Sequence, residues 1–524
     1  MNKIKILDCT LRDGGYINNW NFGEKVINEI IHNLEDAKID IIECGFIRDV
    51  SYDVHSSVYP DMESLAKKIT PKKDNVLYAV MVEQHNHVTE SIPLYDGSGA
   101  DIIRITFRRS EWEETKESVI NLIHKGYKVC VQPVGTVSYD DESLLKLVRD
   151  VNQIKPYAFY LVDTLGMMYR HEMRRFFYLV DNNLSEEIHL GFHSHNNLQM
   201  SFANAQEMIR LSRQRKLIID TSCYGMGRGV GNLSTELLAD YINNNIDQRY
   251  ALTPVLNIVD KYLMPIYAEQ RWGYDLPYFL SAIAKCHPNY AAYLIKKETI
   301  GIEMVEKILS LIPKEDRAEY NAELIEKLYF NMQNCEIDDR NSFTALKKLL
   351  DDRSVLILAP GKSVEAHQER IKEVANGCYV ISANFRTDLF KTDAVFISNH
   401  KRANIVNQGQ TDFVLATSNL KEIFKDALLF DYTSLLGEGD ASDNAGAMLI
   451  RILKRVGVKK IYLAGFDGFD VDASMNYVED KYKKSLDYSA AKKKNEDISK
   501  QLMLALNEVD YEVLTPTKYT ISGI

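Results

Sequence analysis

Residues 4–15 read Ile-Lys-Ile-Leu-Asp-Cys-Thr-Leu-Arg-Asp-Gly-Gly, an apolar run that passes directly into a polar stretch. Short apolar runs of this kind are typical of buried β-strands. Seven similar runs follow before residue 225, separated by amphipathic stretches long enough for helices. The eight predicted strands are Ile4 to Asp8, Ile39 to Gly45, Val76 to Val82, Asp101 to Phe107, Lys128 to Val134, Ala158 to Thr164, Ile188 to His195 and Leu217 to Tyr224. Eight parallel strands close a barrel, so we expect an α/β protein with a (β/α)8 TIM barrel over residues 1–250.

The pattern changes after the barrel. Residues 251–350 show helical periodicity and predict a helical extension, whereas residues 351–524 return to alternating strands and helices. The strands predicted there are Ser354 to Ala359, Cys378 to Ser382, Ala394 to Ser398, Phe413 to Ala416 and Lys460 to Ala464. This second region predicts a separate Rossmann-like domain, in agreement with the two or three domains expected for 524 residues.

Composition excludes several classes of function. The hydrophobic fraction of 45% and charged fraction of 26% are those of a soluble globular protein. The formal charge of -11 argues against nucleic acid, and the basic run Lys481 to Lys484 is interpreted as a solvated helix face. The seven cysteines contain no Cys-x-x-Cys pair, which favours reduced thiols and a cytoplasmic location. Neither a secretory leader nor a membrane span is expected.

Polar residues gather at the predicted strand ends, where the active sites of such barrels lie. His193 and His195 are two residues apart on a strand, so both imidazoles face the same side. Asp13 and Asn232 follow strands one and eight and offer a carboxylate and an amide oxygen. This ligand set favours an open, water-carrying site for Mn or Mg, with Co or Zn as alternatives.

Three motifs carry a family resemblance. They are Asp8-Cys-Thr-Leu-Arg-Asp-Gly14, His193-Ser-His195-Asn196 and Gly225-Met-Gly-Arg-Gly-Val-Gly-Asn232. Together they resemble the metal-dependent lyase and synthase barrels that include 4-hydroxy-2-oxovalerate aldolase, HMG-CoA lyase and isopropylmalate synthase, over about residues 1–295. The resemblance implies metal ligation by Asp13, His193 and His195, with Asn232 ligating or close by, and a catalytic Arg12. It also implies a homodimer.

A 2-oxo acid can chelate a divalent ion, which then stabilises the enolate formed when the adjacent carbon-carbon bond breaks. Arg12 would stabilise the same charge, or else form only a salt bridge to Asp8 or Glu43. Glu43 and Asp163 would orient water and neighbouring groups, or serve as ion-pair partners at the barrel end. We therefore expect an aldolase that acts on a hydroxy-2-oxo acid. An acyl-CoA-dependent Claisen-type synthase and a non-catalytic scaffold are the alternatives.

One position departs from the resembling aldolases, in which a histidine follows the Arg-Asp-Gly motif and serves as the acid/base. Tyr16 stands at that position here. A phenol donates a proton well but is a poor base at neutral pH. Candidate substitutes for the histidine are His85, His87, His287 and Tyr290.

The second half of the chain contains a strand, a glycine turn and a helix start in Val355-Leu-Ile-Leu-Ala-Pro-Gly-Lys-Ser363. Such a turn can place a phosphate at a helix N-terminus. With Ala383-Asn384, Ser442 to Gly446 and Tyr462 to Gly468, it loosely resembles the nucleotide-binding fold of bacterial sialyltransferase-like and related surface-glycan proteins. The resemblance implies a nucleotide or nucleotide-sugar site near Gly361, Ser363, Asn384 and Asp467, and a role in making a surface-glycan precursor. A catalytically silent assembly domain is the alternative.

Overall fold

The computed structural model describes residues 3–86, 89–212, 214–403, 413–478 and 486–521. The chain folds into two compact units. Unit 1 comprises Met1–Ala292 and Ile312–Asn321, and unit 2 comprises Tyr293–Leu311 and Ala322–Ile524. Residues 251–350, predicted as one helical extension, are thus divided between the two units.

Unit 1 is built on a closed parallel sheet. Its strands run in the order β1-β9-β8-β7-β6-β5-β4-β2-β3, and β1 also pairs with β2, which closes eight of them into a barrel. The strands are β1 Ile4–Asp8, β2 Ile41–Ile47, β3 Val58–Tyr59, β4 Leu77–Glu83, β5 Ile102–Phe107, β6 Lys128–Pro133, β7 Ala158–Asp163, β8 His189–Ser194 and β9 Leu217–Thr221. The barrel prediction is confirmed, since every predicted strand forms within a few residues of its predicted bounds. The short β3 pairs with β2 outside the closed barrel.

Helices of unit 1 cover the barrel with one apolar face each. In the fourth helix the buried residues are Leu144, Leu147, Val148 and Val151, the spacing of a single helical stripe, and Asp140 caps its first turn. The helices are α1 Glu24–Asp36, α2 Met62–Ile69, α3 Trp112–His124, α4 Asp141–Ile154, α5 Arg170–Asp181, α6 Ser201–Leu211, α7 Thr235–Asn245, α8 Leu252–Ile258, α9 Met264–Glu269, α10 Leu276–Ile283 and α11 Pro288–Lys297, whose last residues belong to unit 2.

Two layers of side chains fill the barrel interior. The lower layer is apolar and includes Ile41, Ile102, Cys130 and Ile218. Because strand residues i and i+2 face the same side, the next layer toward the carboxyl ends comes two residues later on each strand. That layer is polar and fully buried, and its members are Glu43, Arg104, Gln132 and Asp220. The strands therefore aim a group of charged side chains at the barrel mouth.

Unit 2 contains an open parallel sheet in the order β14-β13-β12-β11-β10-β15-β16. The strands are β10 Ser354–Leu358, β11 Cys378–Ala383, β12 Ala394–Ile397, β13 Phe413–Thr417, β14 Leu428–Phe430, β15 Ile461–Ala464 and β16 Tyr511–Val513. The five predicted strands form, and the sequence missed β14 and β16, three-residue edge strands that are partly exposed and lack a long apolar run. The parallel sheet is as predicted, whereas its assignment as Rossmann-like stays a prediction.

The helices of unit 2 are α12 Ile302–Ser310, α13 Ala322–Gln333, α14 Arg340–Leu350, α15 Ser363–Ala366, α16 Gln368–Ala375, α17 His400–Ala403, α18 Ala445–Val456 and α19 Tyr488–Leu506. Among the described residues of the chain, no helix combines the length and the apolarity that crossing a membrane requires.

Candidate metal centre

Asp13, His193 and His195 converge at the carboxyl end of the barrel. Each offers one ligand atom, and the three atoms lie within 4.8 Å of one another. His193 lies near the end of β8 and His195 directly after it, while Asp13 lies in the loop after β1. A backbone bridge pairs His195 with Asn232 and so brings the Gly225–Asn232 loop beside the same point. The structure thus brings the predicted ligands together.

His193 is held in one orientation by Asp220 of β9. Its Nδ1 lies 2.9 Å from Asp220 Oδ2, and both side chains are buried. A carboxylate that binds Nδ1 fixes the ring and leaves Nε2 to ligate a cation. Burial lowers the pKa of His195 to about 4, so this imidazole is neutral at physiological pH, as a metal ligand must be.

Asn232 completes the cluster. Its Nδ2 donates to Asp13 Oδ2 at 2.5 Å and to the Met226 carbonyl at 3.2 Å. Its Oδ1 is buried and has no hydrogen-bond partner among the described residues. A Cβ atom on Gly227 would come within 3.0 Å of both Asn232 and Asp13, so only glycine lets the loop pass this close. The unpartnered oxygen beside two imidazoles and a carboxylate suits a divalent cation.

Arg12 lies against the same carboxylate. Its Nη1 donates to Asp13 Oδ1 at 2.6 Å and its Nε to Glu43 Oε2 at 2.9 Å. Its Nη2 is buried and has no partner in the described part of the chain. Burial alone would raise the pKa of Asp13, but Arg12 and the two histidines hold it well below its usual range. Glu43, rather than Asp8, is therefore the predicted barrel-end partner of Arg12.

Arg104 connects Glu43, which binds Arg12, with Asp220, which binds His193. Its Nη1 donates to Glu43 Oε2 at 2.6 Å and its Nη2 to Asp220 Oδ2. A continuous network of hydrogen bonds and ion pairs, called here the charge network, thus runs from His193 through Asp220, Arg104 and Glu43 to Arg12. The guanidiniums of Arg12 and Arg104 contact the carboxylates of Asp13, Glu43 and Asp220, so the carboxylates of this group outnumber its arginines by one. Because an unpaired buried charge is costly, this surplus favours a bound cation.

Sequence reasoning missed Arg104, Gln132 and Asp220. With its amide oriented to satisfy both groups, Gln132 accepts hydrogen bonds from Arg104 Nε and Nη2 at 2.5 Å. A signal was present, because Arg104 stands alone in Ile102-Ile-Arg-Ile-Thr-Phe107 and Asp220 in Leu217-Ile-Ile-Asp-Thr221. A charge inside a buried strand needs a buried partner, but the strand does not say which.

Tyr16 lies in the 3-10 turn Gly14–Tyr16 that follows the Arg12-Asp13 pair. It is 38% exposed and packs edge-on against Trp20, with ring centres 4.8 Å apart. Partial burial and the Asp13 carboxylate raise the pKa of Tyr16. The phenol is therefore protonated at neutral pH and can donate a proton, but it is not a base.

Asp163 holds the loop that follows β7. Its two carboxylate oxygens accept the backbone N–H groups of Met167 at 3.0 Å and Met168 at 2.9 Å, and its carbonyl accepts the His195 N–H at 3.2 Å. Burial raises the pKa of Asp163 to about 6. These contacts give Asp163 a role in loop geometry, and its predicted catalytic role stays a prediction.

Two of the predicted replacement bases differ in their surroundings. His287 is half-buried, with Nδ1 accepting the Asn289 N–H at 3.2 Å and Nε2 lying 3.4 Å from Arg228 Nη2. Burial and Arg228 lower the pKa of His287 to about 4, which keeps the ring neutral. Since Arg228 belongs to the Gly225–Asn232 loop, His287 lies next to that loop. Tyr290 is fully buried, and its hydroxyl binds the backbone carbonyls of Asp316 and Glu319, a structural role.

Two candidate bases remain, His85 and His87. His85 is exposed on the 3-10 turn Gln84–Asn86, directly after the strand. His87 lies outside the described residues. Both stay predictions.

In unit 2, the carboxylate of Asp467 binds Ser363 in the turn at which the sequence predicts a phosphate. Asp467 Oδ2 accepts the Ser363 N–H at 2.6 Å, and Oδ1 accepts the Ser363 hydroxyl. A Cβ on Gly361 would collide with the same carboxylate. Asp467 thus occupies the Ser363 N–H and hydroxyl in this structure, and the predicted phosphate site at the turn stays a prediction. Gly361, Asn384 and Asp467 nevertheless line one cavity of about 580 Å³, whereas Ser363 does not.

The first half of the chain is similar to known proteins. The HMGL-like family model matches residues 3–260. The chain is 27% identical over 235 residues to oxaloacetate decarboxylase of Mycobacterium tuberculosis, which covers 44% of this chain and 68% of that protein. It is 26% identical over 327 residues to 4-hydroxy-2-oxovalerate aldolase 2 of Salinispora arenicola, which covers 59% and 88%.

Among solved structures, the chain is similar to the N-terminal domain of an aldolase candidate from Bacteroides vulgatus, with a TM-score of 0.50 and 26% identity. This similarity covers 56% of the present chain and 96% of that domain. The family match lies within unit 1.

Proposed function

From the HMGL-like barrel of residues 3–260, we propose that this chain is a divalent-metal-dependent lyase of the aldolase type. It would cleave or form a carbon-carbon bond of a 4-hydroxy-2-oxo acid through a pyruvate-type enolate. One observation carries the proposal: Arg12 Nη2 is buried beside the cluster of Asp13, His193 and His195 and has no partner among the residues that the structure describes. A homodimer, a cytoplasmic location and a role in surface-glycan precursor synthesis stay predictions.

Asp13, His193 and His195 would hold the cation, with Asn232 Oδ1 in the same cluster. Carboxylate, imidazole and amide ligands suit Mn or Mg and are also accepted by Co and Zn. When bound, the cation supplies Lewis-acid polarisation of the 2-oxo group. The Arg12 guanidinium beside this cluster suits a substrate that carries a carboxylate.

Arg12 supplies the charge stabilisation that the protein itself contributes. Asp13 and Glu43 fix two of its nitrogens, so the guanidinium needs no reorganisation when charge develops on the enolate oxygen. A preorganised donor of this kind is worth about 100- to 1,000-fold in rate. The unpartnered Nη2 is the donor available for that oxygen.

Proton transfer is divided between an acid and a base. In cleavage, a base takes the 4-hydroxyl proton, the C3–C4 bond breaks, the aldehyde leaves, and an acid returns a proton to C3 of the enolate. Tyr16, whose phenol is protonated, is assigned as the acid. His287 is the described imidazole beside the Gly225–Asn232 loop and is the first base to test.

Proton exchange tests the proposal directly. The purified chain with Mn or Mg should exchange the methyl protons of pyruvate in deuterated water, as followed by proton NMR. His193→Ala should abolish exchange because it removes a ligand. The matched control is His189→Ala, since His189 lies on the same strand but at its other end, bound to the Tyr157 carbonyl. Absence of exchange with every divalent metal would rule out the pyruvate enolate.

Two further measurements separate the alternatives. Release of free CoA thiol from acetyl-CoA and a 2-oxo acid would favour the Claisen-type synthase instead. A purified protein that retains no stoichiometric divalent ion would favour the non-catalytic scaffold. Metal analysis of the wild type and of Asp13→Ala distinguishes that case from simple loss during purification.

A further inference from the structure

Strand β2 contains one extra residue near its carboxyl end. On β2, Glu43 and Phe46 are three residues apart. Their partners on β4, Ala79 and Met81, are only two residues apart. Gly45 lies in this interval at φ +143°, where a Cβ atom would collide with a backbone carbonyl oxygen. Such a bulge re-aims the side chains that follow it, and bulges are common at barrel rims next to active sites.

The bulge turns Arg48, the residue directly after β2, toward the barrel mouth. Glu43 belongs to the buried polar layer inside the barrel. Without the extra residue, Phe46 would face the surrounding helices, whereas with it Phe46 and Arg48 face the same side as Glu43. Glu83 ends β4 four residues after Ala79, which belongs to the apolar cluster inside the barrel, so Glu83 faces that side too. Arg48 and Glu83 therefore lie at the rim, above the buried polar layer.

Arg48 is held by stacking and by one hydrogen bond. Its Cζ lies 4.0 Å from the ring centre of Phe46 and 4.7 Å from that of Trp20. Its Nε donates to Glu83 Oε2 at 2.9 Å, and Asn86 Nδ2 donates to the same oxygen at 2.8 Å. No described residue accepts a hydrogen bond from Arg48 Nη1 or Nη2, and the side chain is 21% exposed. A stacked guanidinium keeps its charge and its donors, so both Nη groups are fixed and open to a ligand.

This arrangement repeats that of Arg12. In each arginine a carboxylate on a barrel strand fixes Nε, namely Glu43 for Arg12 and Glu83 for Arg48. In each, at least one Nη group has no partner in the described part of the chain. An arginine fixed in this way can bind a carboxylate with little loss of side-chain freedom, and through two parallel hydrogen bonds where both Nη groups are available.

The two guanidiniums lie near the same ring. Arg12 Cζ is 5.9 Å and Arg48 Cζ is 4.0 Å from the ring centre of Phe46, so the two carbons cannot be further apart than these distances together. The ring of Tyr16, the assigned acid, lies 6.5 Å from that of Phe46. Carbon-carbon bonds of about 1.5 Å make a five-carbon acid about 5 Å long. One such molecule at the Asp13 cluster can therefore contact both arginines.

We propose that Arg48 binds a second carboxylate of the substrate, so that the carbonyl fragment released by cleavage is itself an acid rather than a neutral aldehyde. This inference rests on the lyase function proposed above. The substrate class is then a 4-hydroxy-2-oxo dicarboxylate, with its 2-oxo acid end at the Asp13 cluster and Arg12 and its other carboxylate at Arg48. Arg48 determines specificity and takes no part in proton transfer.

Two 2-oxo acids of equal length test this assignment without turnover. 2-Oxoglutarate has a carboxylate where 2-oxopentanoate has a methyl group, and neither carries the 4-hydroxyl that aldol cleavage requires. Calorimetric titration of the full chain with saturating Mn should give 2-oxoglutarate a Kd at least about tenfold lower than that of 2-oxopentanoate.

Substitution of Arg48 should remove this preference. In Arg48→Met the two dissociation constants should agree within about twofold, because the apolar stem stays and the charge is lost. Arg48→Lys keeps a charge without the planar fork, so its preference should be intermediate. Arg174→Met is the matched control and should keep the wild-type preference, because Arg174 Nε also donates to a glutamate, Glu207, but lies on helix α5.

Equal affinities for the two acids in the wild type would overturn the proposal, as would the same preference in Arg48→Met and Arg174→Met. A loss of affinity for both acids to the same degree in Arg48→Met would also overturn it, since that is the result of a structural role alone. Far-UV circular dichroism checks that each variant is folded, and Arg48→Lys serves if Arg48→Met is not. Pyruvate exchange without the preference would remove Arg48 alone, whereas the preference without exchange would support the second carboxylate site and rule out the lyase chemistry.

Discussion

The barrel of unit 1 and the open sheet of unit 2 both gather polar side chains at the carboxyl ends of parallel strands. They differ in how the charged side chains at those ends are buried and paired. In the barrel, the charged groups are buried and interlocked, and Arg12 Nη2 and Asn232 Oδ1 have no partner among the described residues. In unit 2, four lysines and one arginine line a cavity together with five carboxylates, and these carboxylates are bound by neighbouring side chains. Buried unpartnered atoms indicate a site for chemistry, because their cost must be offset when substrate binds, whereas groups that are already paired carry no such cost.

The largest effect, on the free energy of unfolding, should come from breaking the charge network at Arg104. Arg104→Met leaves the buried carboxylates of Glu43 and Asp220 without their shared partner, which we expect to cost about 3–5 kcal/mol of unfolding free energy. Tryptophan fluorescence during denaturant unfolding reports this, because Trp20, Trp112 and Trp272 all lie in unit 1.

Arg174→Met is the control for this prediction. Arg174 is 44% exposed and pairs with Glu207, which keeps a second ion pair with Arg210, so the loss of Arg174 should cost less than about 1 kcal/mol. If Arg104→Met and Arg174→Met unfold at the same denaturant concentration, the charge network does not stabilise the barrel.

The next largest effect should be on the rate of pyruvate proton exchange rather than on the free energy of unfolding. Arg12→Lys can keep an ion pair with Asp13, but a single ammonium cannot bind Asp13 and Glu43 and still present a free N–H. We expect pyruvate exchange to slow about 100- to 1,000-fold while metal content stays at the wild-type level. Exchange by proton NMR and metal analysis check both parts. A variant with exchange within a factor of about three of the wild type would remove Arg12 from the proposed role.

A smaller effect, on metal affinity, should follow from weakening the contact between Asp220 and His193 Nδ1. Asp220→Asn replaces the carboxylate that binds His193 Nδ1 with a neutral amide, and outer contacts of this kind contribute about 10- to 100-fold in metal affinity. Calorimetric titration of the chelator-treated protein with Mn measures it. Asp181→Asn is the matched control, because Asp181 binds Arg215 and none of the predicted ligands. Equal affinities in the two variants would show that Asp220 does not tune the site.

The smallest effect should be on the stability of unit 2, when the contact between Ser363 and Asp467 is removed. Ser363→Ala removes one hydroxyl that donates to Asp467, so we expect a loss of about 1 kcal/mol in the stability of unit 2. Far-UV circular dichroism follows the unfolding of unit 2, which tryptophan fluorescence does not report because the three tryptophans lie in unit 1. An unfolding midpoint equal to that of the wild type would show that the Ser363 hydroxyl does not stabilise the turn.

The sequence predicted the features that depend on near neighbours. Strand positions follow from apolar runs, and the pairing of His193 with His195 follows from the two-residue repeat of a strand. The motif Asp8 to Gly14 placed Arg12 and Asp13 at a strand end, and the structure brings them to the same centre. For these residues, local spacing is sufficient because a closed barrel brings all carboxyl ends to one mouth.

The tertiary structure alone decided which buried charges pair. Arg104 and Asp220 are 116 residues apart, and Ser363 and Asp467 are 104 apart, so no local pattern records either contact. In the first case, the pairing created a support for His193 that the sequence had not indicated. In the second, it filled a turn that the sequence had assigned to phosphate. A sequence shows that a buried charge needs a partner, but the partner is chosen by strand order and register, which exist only in the folded chain.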